Sequence, residues 1–201
     1  MTHAIEAESY RLLQERVDLS RWTPAERAVV ARVIHASADL DYAETLRFSP
    51  GAAELGVEAL AAGAAVVTDV EMVRHGITRV PAACYLGEVG TADGSGGTRT
   101  AAAVRVAAER HPAGAVLVVG CAPTALAEVV RLARAGRLRP ALVVGLPVGF
   151  VGAGDAKAAL RGSGVPSISN VGDKGGSAVA AAAVNALAGL TGPPAGRGCL
   201  P

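Results

Sequence analysis

Aromatic side chains are scarce in this chain: Trp, Tyr and Phe together make up 3% of its 201 residues. So few flat rings leave little stacking surface for bases. A formal net charge of +1 offers no basic field for phosphates, so a nucleic-acid partner is not expected. Cysteine is rarer still. Cys84, Cys121 and Cys199 are odd in number and widely spaced, with no CxxC pair or Cys/His cluster, so neither a disulfide framework nor a structural zinc site is supported. They read as reduced thiols of a cytoplasmic protein. Long apolar runs are missing too. The most apolar stretch, residues 178–190, contains Asn185 and is too short to span a bilayer. Glu6 and Glu8 stand where a signal peptide needs an unbroken apolar core. A soluble protein without membrane contact is expected.

Small apolar side chains and glycine are what the chain has in abundance. Hydrophobic residues make up 51% and charged ones 18%, so a core of Ala, Val and Leu is expected, in one domain spanning 1–201. Residues 4–15 pattern as a short amphipathic helix that carries Ser9. The run Phe48-Ser49-Pro50-Gly51 is turn chemistry, 51–62 a helix, and 64–68 the first strand. A helical fragment at 71–75, a second strand at 82–86 and a flexible glycine loop at 87–97 follow. Thr98 then precedes a helix over 99–110. Beyond it, 115–119, 141–146 and 165–169 are apolar runs, each ended by a glycine turn and followed by a helix. Those helices are expected from near Pro123, from about Asp155 to Arg161, and over 177–188. Strand, glycine turn and helix in series predict a parallel sheet buried on both faces, with its turns gathered at one edge. The fold class is therefore α/β: three-layer α/β/α with a mainly parallel, Rossmann-like sheet.

Thr23, Pro24 and Glu26 form a capping box that opens a helix in the stretch 23–41. At about 100° per residue, Val29, Val33 and Ile34 fall on one side and Arg32, His35 and Asp39 on the other. Periodicity leaves two readings of that polar stripe. One is a solvated face; the other is a histidine held over a pocket, with Arg32 one turn away to meet an anion. The glycine turns raise a nucleotide reading as well. Gly145, Gly149 and Gly152 do not make GxGxxG, however, and the run from Gly172 to Ser177 lacks Walker A spacing. What remains is the general affinity of helix N-terminal amides for carboxylates and phosphates.

Eight blocks occur in order over nearly the whole chain: IEAESY, RVIHASAD, FSPGA, TDVEMVRHGITR, GGTRTAAAVR, APTAL, GLPVGFVGA and KGGSAVAAAAVNAL. Together they resemble the precorrin-8X methylmutase (precorrin isomerase) family of cobalamin biosynthesis. The resemblance implies a homodimeric isomerase whose substrate is a tetrapyrrole, precorrin-8X or cobalt-precorrin-8. It would move a methyl group from ring carbon eleven to ring carbon twelve, giving hydrogenobyrinate or cobyrinate, with no cofactor and no metal ligand of its own. The family's catalytic histidine falls on His35, its substrate-contacting serine on Ser9, and its arginine on Arg99, followed here by Thr100. Arg32 and Thr78 sit at positions the resemblance also places near the macrocycle.

These residue types suit that chemistry. A histidine with a pKa of about 6.5 can give a proton to the ring system and take it back. Guanidinium forks such as Arg32 and Arg99 match the peripheral carboxylates. Within the resemblance, Cys121 replaces an asparagine, while Val171 and Asp173 stand where arginine is usual. Two fewer cations and one more anion imply a loop that faces away from the ligand, or a substrate that is differently charged or held more weakly. Two other classes of function remain open: a non-catalytic tetrapyrrole-binding protein that carries product, and a nucleotide-binding module on the same sheet.

Overall fold

Six strands form one sheet in the computed structural model, which describes residues 4–90 and 97–192. Part of the expected glycine loop, 91–96, and Cys199 lie outside the described residues. The strands are β1 (Leu46–Phe48), β2 (Val66–Thr68), β3 (Ala82–Cys84), β4 (Val116–Val119), β5 (Leu142–Gly145) and β6 (Ser167–Asn170). Their order is β1-β6-β5-β4-β2-β3, with β1 antiparallel to β6 and every other pairing parallel. The expected first strand at 64–68 is thus the second. β1 precedes it, hidden beside the turn at Ser49 and Pro50, where a three-residue edge strand shows no periodicity.

The helices are α1 (Ala4–Arg16), α2 (Pro24–Ser37), α3 (Tyr42–Thr45), α4 (Ala52–Ala61), α5 (Glu71–Gly76), α6 (Arg99–Arg110), α7 (Pro123–Arg134), α8 (Ala153–Arg161) and α9 (Ser177–Leu190). None of those described is long and apolar enough to cross a membrane. From β2 the chain first adds β3 on one side and then crosses to β4, β5 and β6 on the other. Right-handed crossovers in opposite directions place their helices on opposite faces. Accordingly, α5 joins the layer of α4 and α9, while α6, α7 and α8 make the other layer.

Alternation along each strand divides the core. Val66, Val116, Val118, Leu142, Val144 and Ile168 face α4 and α9, while Val67, Leu117, Val119 and Val143 face α6, α7 and α8. Both faces are covered, which is why these strands read as unbroken apolar runs. On the first face α9 offers the buried stretch of Ala180, Ala181, Ala182 and Ala183, and α2 packs along it through Val29, Val30 and Val33. Small side chains let α2 lie close without touching the sheet extensively. α1 then lies on the outside of α2.

α2 forms where the capping box places it: Glu26 N–H donates to the Thr23 hydroxyl, and Thr23 N–H donates to the Glu26 carboxylate. Ala38 ends it in the left-handed region, at φ 54°, with its N–H on the Ile34 carbonyl. The helix therefore stops at Ser37, before the Asp39 that the helical stripe was expected to include. Asp39 leaves the stripe it was expected to share with Arg32 and His35.

Candidate active site

His35 stands in the last turn of α2, half-buried under α1. Its Nδ1 lies 2.7 Å from the Ser9 hydroxyl oxygen. The Tyr10 ring stacks on the imidazole with centroids 5.0 Å apart and planes 21° apart. Consecutive residues of α1 thus supply an edge partner and a face partner, because they project about 100° apart around the helix. In the tautomer where Ser9 donates to Nδ1, Nε2 carries the ring proton.

A groove of about 400 Å³ opens beside this pair, lined by Ser9 and His35 and walled by Ile5, Leu12, Ile34 and Leu40. Ile5 is 74% exposed, Leu12 37% and Leu40 39%, so the rim of the groove is apolar surface open to solvent. Such a rim suits a large flat ligand with an apolar face better than it suits water.

One turn before His35, the Arg32 guanidinium is held by the Glu6 carboxylate and by the Tyr10 hydroxyl at 3.2 Å. Its charge is answered within the protein. On that flank of α1 a second groove, of about 320 Å³, is lined by Arg32, Arg79 and Asn185. The Asn185 side chain accepts from the backbone N–H of Thr78 at 2.9 Å and of Arg79 at 3.3 Å, and it donates to the Gly76 carbonyl at 2.8 Å. Thr78 is therefore fixed through its main chain, with an exposed side chain.

Arg99 and Thr100 open α6, whose layer covers the face of the sheet opposite α2. Ser9 and His35 are thus brought together, as are Thr100 and the start of α7, but the two groups belong to different layers. The Thr98 hydroxyl caps α6 and lies 3.0 Å from that of Thr100 and 2.7 Å from that of Thr124. Arg99 is exposed and donates to the Leu86 carbonyl at 3.2 Å.

Between the two layers, at the carboxyl ends of β2 and β4, Asp69 fills the crevice where the strand order changes direction. It is 2% exposed and accepts the backbone N–H groups of Gly120, Cys121 and Ala122 at 3.1, 2.9 and 2.8 Å. Burial pushes its carboxyl above the ordinary range, and the three amides pull it back. The turn before α7 is shaped by this carboxylate. Burial, with the Asp69 charge behind it, also pushes the Cys121 thiol up, which keeps it protonated at neutral pH.

The loop after β6 is tied to both sides of the site. Lys157 of α8 is fully buried and donates to the Asn170 side chain at 3.0 Å and to the Lys174 carbonyl at 2.7 Å. Burial lowers its pKa to about 8, with Asp173 opposing the shift and Arg161 adding to it. The Lys174 ammonium in turn holds Asp39 and Asp41, each at 2.7 Å, just beyond the end of α2. That clasp brings the end of α2, and His35 with it, beside the carboxyl edge of the sheet.

Tyr10, Asp69, Lys157 and Lys174 were not singled out from the sequence. Signals existed for two of them. Tyr10 adjoins Ser9, and Lys157 shares a helical face with Ala153 and Leu160, both fully buried.

Known proteins share this sequence pattern and fold. The sequence profile of the precorrin-8X methylmutase family matches residues 4–190. The precorrin-8X methylmutase of Pseudomonas aeruginosa is 44% identical over 92% of this chain and 94% of its own length. The cobalt-precorrin-8 methylmutase of Methanothermobacter thermautotrophicus is 40% identical over 94% and 93%. A solved structure of precorrin-8X methyl mutase from Thermus thermophilus superposes with a TM-score of 0.86 at 41% identity, covering 94% of this chain and 95% of that one. With the profile spanning both helices that carry the Ser9–His35 pair and every strand of the sheet, the chain belongs to the precorrin-8X methylmutase family.

Proposed function

We propose that this chain is a methylmutase that moves a methyl group between ring carbons eleven and twelve of precorrin-8X or cobalt-precorrin-8, with His35 as proton donor and acceptor. The observation that carries this reading is the 2.7 Å contact between Ser9 and His35 on an apolar-rimmed groove. The rearrangement is intramolecular: one carbon–carbon bond breaks, its neighbour forms, and the ring's conjugated electrons shift to match. A proton lent by His35 to the macrocycle and then recovered leaves the balance unchanged. The Ser9 hydroxyl accepts from Nδ1–H of the imidazolium that lends the proton or donates to a bare Nδ1, holding the ring edge in either state, and Tyr10 limits rotation of the ring. The apolar walls hold the macrocycle's face while charge redistributes. Cobalt, where the ring carries it, belongs to the substrate.

Arg32, Thr78, Arg99 and Thr100 remain substrate-binding residues in this proposal, with different prospects. Arg99 is exposed and, among the described residues, its side chain bonds to a carbonyl, so its fork has capacity for a carboxylate. Arg32 would have to share its fork with Glu6. A homodimer in the cytoplasm also belongs to the proposal. Apolar surface on the β5–α8 loop supports the pairing: Phe150 is 96% exposed and Val151 88%.

His35→Asn tests the central assignment. Asparagine keeps polarity and approximate size but cannot exchange a proton near neutral pH. The variant should fold, bind corrin, and lose about 100-fold or more in single-turnover conversion followed by absorbance. Conversion at the wild-type rate would remove His35 from the chemistry. A wild type that binds corrin and never converts precorrin would instead mark a carrier of the product.

A further inference from the structure

The stripe of α1 that carries Ser9 continues past it. Arg16 lies seven residues on, which on a helix is about 10 Å further along the axis and about 20° short of two full turns. It therefore shares Ser9's face and lines the same groove, at the far end from Ile5. The other charged lining residue is Glu8, whose two oxygens are both taken by Arg11, at 2.7 and 2.8 Å. Arg11 also reaches Glu15, so that acid is engaged as well. Arg16 borders a wider groove of about 700 Å³ too, and the carboxylate of Asp18 in that groove is bound by the Ser20 hydroxyl and N–H. Among the described residues no carboxylate pairs with Arg16.

A helix's last turn is a common place for an arginine, because its carbonyls favour a cation there. That preference accounts for the residue type. It does not account for a guanidinium that no described carboxylate pairs with, on the wall of an apolar-rimmed groove and in line with the Ser9–His35 pair. Arg32, which helical spacing from His35 brings forward as the anion partner, has its charge already met by Glu6. The spare positive charge of this groove belongs to Arg16.

We propose that Arg16 is the carboxylate anchor of the Ser9–His35 groove and a specificity-determining residue: it favours a macrocycle that carries an ionised acid side chain about 10 Å from the reacting edge over one in which that acid is an amide. This inference rests on the methylmutase reading above. A carboxylate accepts both N–H groups of a guanidinium fork with charge assistance. A primary amide accepts through one oxygen only, turns its own N–H donors towards the fork, and brings no charge. Because Arg16 is exposed, the attraction is screened by salt, and its contribution must fall as ionic strength rises.

The experiment compares wild type, Arg16→Gln and Arg16→Lys. Each is titrated by absorbance with the free-acid corrin hydrogenobyrinate and with its side-chain-amidated form, at low and high salt, and single-turnover conversion of precorrin-8X is measured alongside. Arg16→Gln should weaken free-acid binding by about tenfold at low salt and flatten its salt dependence, while affinity for the amidated ring moves by less than about twofold. The lysine variant should recover part of the loss, since it restores charge without the fork. In turnover the loss should fall mainly on the half-saturating concentration. Thermal unfolding of the variants should match wild type, as the side chain is exposed. Equal affinity of wild type and Arg16→Gln for the free-acid ring, with conversion intact, would overturn the anchor and leave the methylmutase reading standing. A wild type that neither binds corrin nor converts precorrin would sink both.

Discussion

Gly175→Ala tests how the loop after β6 is seated. A Cβ at this position would stand 2.8 Å from the carbonyl carbon of Pro147 and closer still to the carbonyl oxygens of Leu146 and Pro147. Carbon atoms in contact prefer about 3.5–4.0 Å, and every obstacle here is main chain, so no rotamer change relieves the clash. The loop must retreat. Retreat breaks the bond from Gly176 N–H to the Leu146 carbonyl at 2.8 Å and the one from Gly149 N–H to the Asp173 carbonyl at 3.1 Å. Two bonds at about 0.5–1.5 kcal/mol each, with about 1–3 kcal/mol for overpacking, give an expected loss of roughly 2–6 kcal/mol. Gly176→Ala is the companion. Nothing lies within 4 Å of its would-be Cβ, but its φ is 129°, so its cost is conformational. That cost is about 1–3 kcal/mol. Urea unfolding of both variants, with slopes compared to confirm two-state behaviour, separates the mechanisms. Turnover should fall with Gly175→Ala as well, because a retreating loop draws Lys174 away from Asp39 and Asp41. A loss below about 1 kcal/mol for Gly175→Ala, or one smaller than that of Gly176→Ala, would refute the steric account.

Lys157 makes stability depend on alkaline pH. Its folded pKa of about 8 lies below the ordinary 10.5, so between those values the unfolded chain holds a proton that the folded one has lost. Stability due to Lys157 therefore rises as pH climbs through that window. Against Lys157→Met, wild type should gain up to roughly 3 kcal/mol between about pH 7.5 and about pH 10.5 in denaturant melts; a difference that ignores pH would contradict this. Ala38→Gly should stabilise the protein by about 1 kcal/mol, since a φ of 54° strains an alanine and not a glycine. A lower unfolding midpoint for that variant would show that Ala38 is not strained.

The sheet was readable in the sequence because β2, β4 and β5 are buried on both faces, and such strands must be apolar throughout. β1 was not, for the opposite reason: an edge strand with Arg47 turned outward takes its identity from its partner β6, and partners are invisible in a linear reading. β6 itself extends to Asn170, through Ser167 and Ser169, both buried and polar. Of the candidate site, the pair formed by Ser9 and His35 is separated by 26 residues, and only the family resemblance connected them before the fold did. Helical periodicity could place Arg32 one turn from His35, but Glu6 and Tyr10 answer it from another helix. Asp69 looked like a residue that merely follows a strand. Its three amide partners lie on a turn 51 to 53 residues away, and nothing local announces them.

The chain contains two lysines, Lys157 and Lys174, and its other long basic side chains are all arginine. One lysine is sealed inside, and the other has a side chain 49% exposed while it bridges two aspartates. For amine-selective chemistry the folded protein therefore presents a single lysine, four residues beyond the end of β6 and across a salt bridge from the end of α2. An acylating reagent needs the neutral amine, which the two aspartates withhold by raising the pKa of Lys174. Labelling of Lys174 should therefore quicken when the clasp is weakened. The rate at which an ordinary amine reagent marks Lys174, read on its own peptide by mass spectrometry and apart from the more reactive α-amino group, thus reports on the clasp at the end of the helix that carries His35.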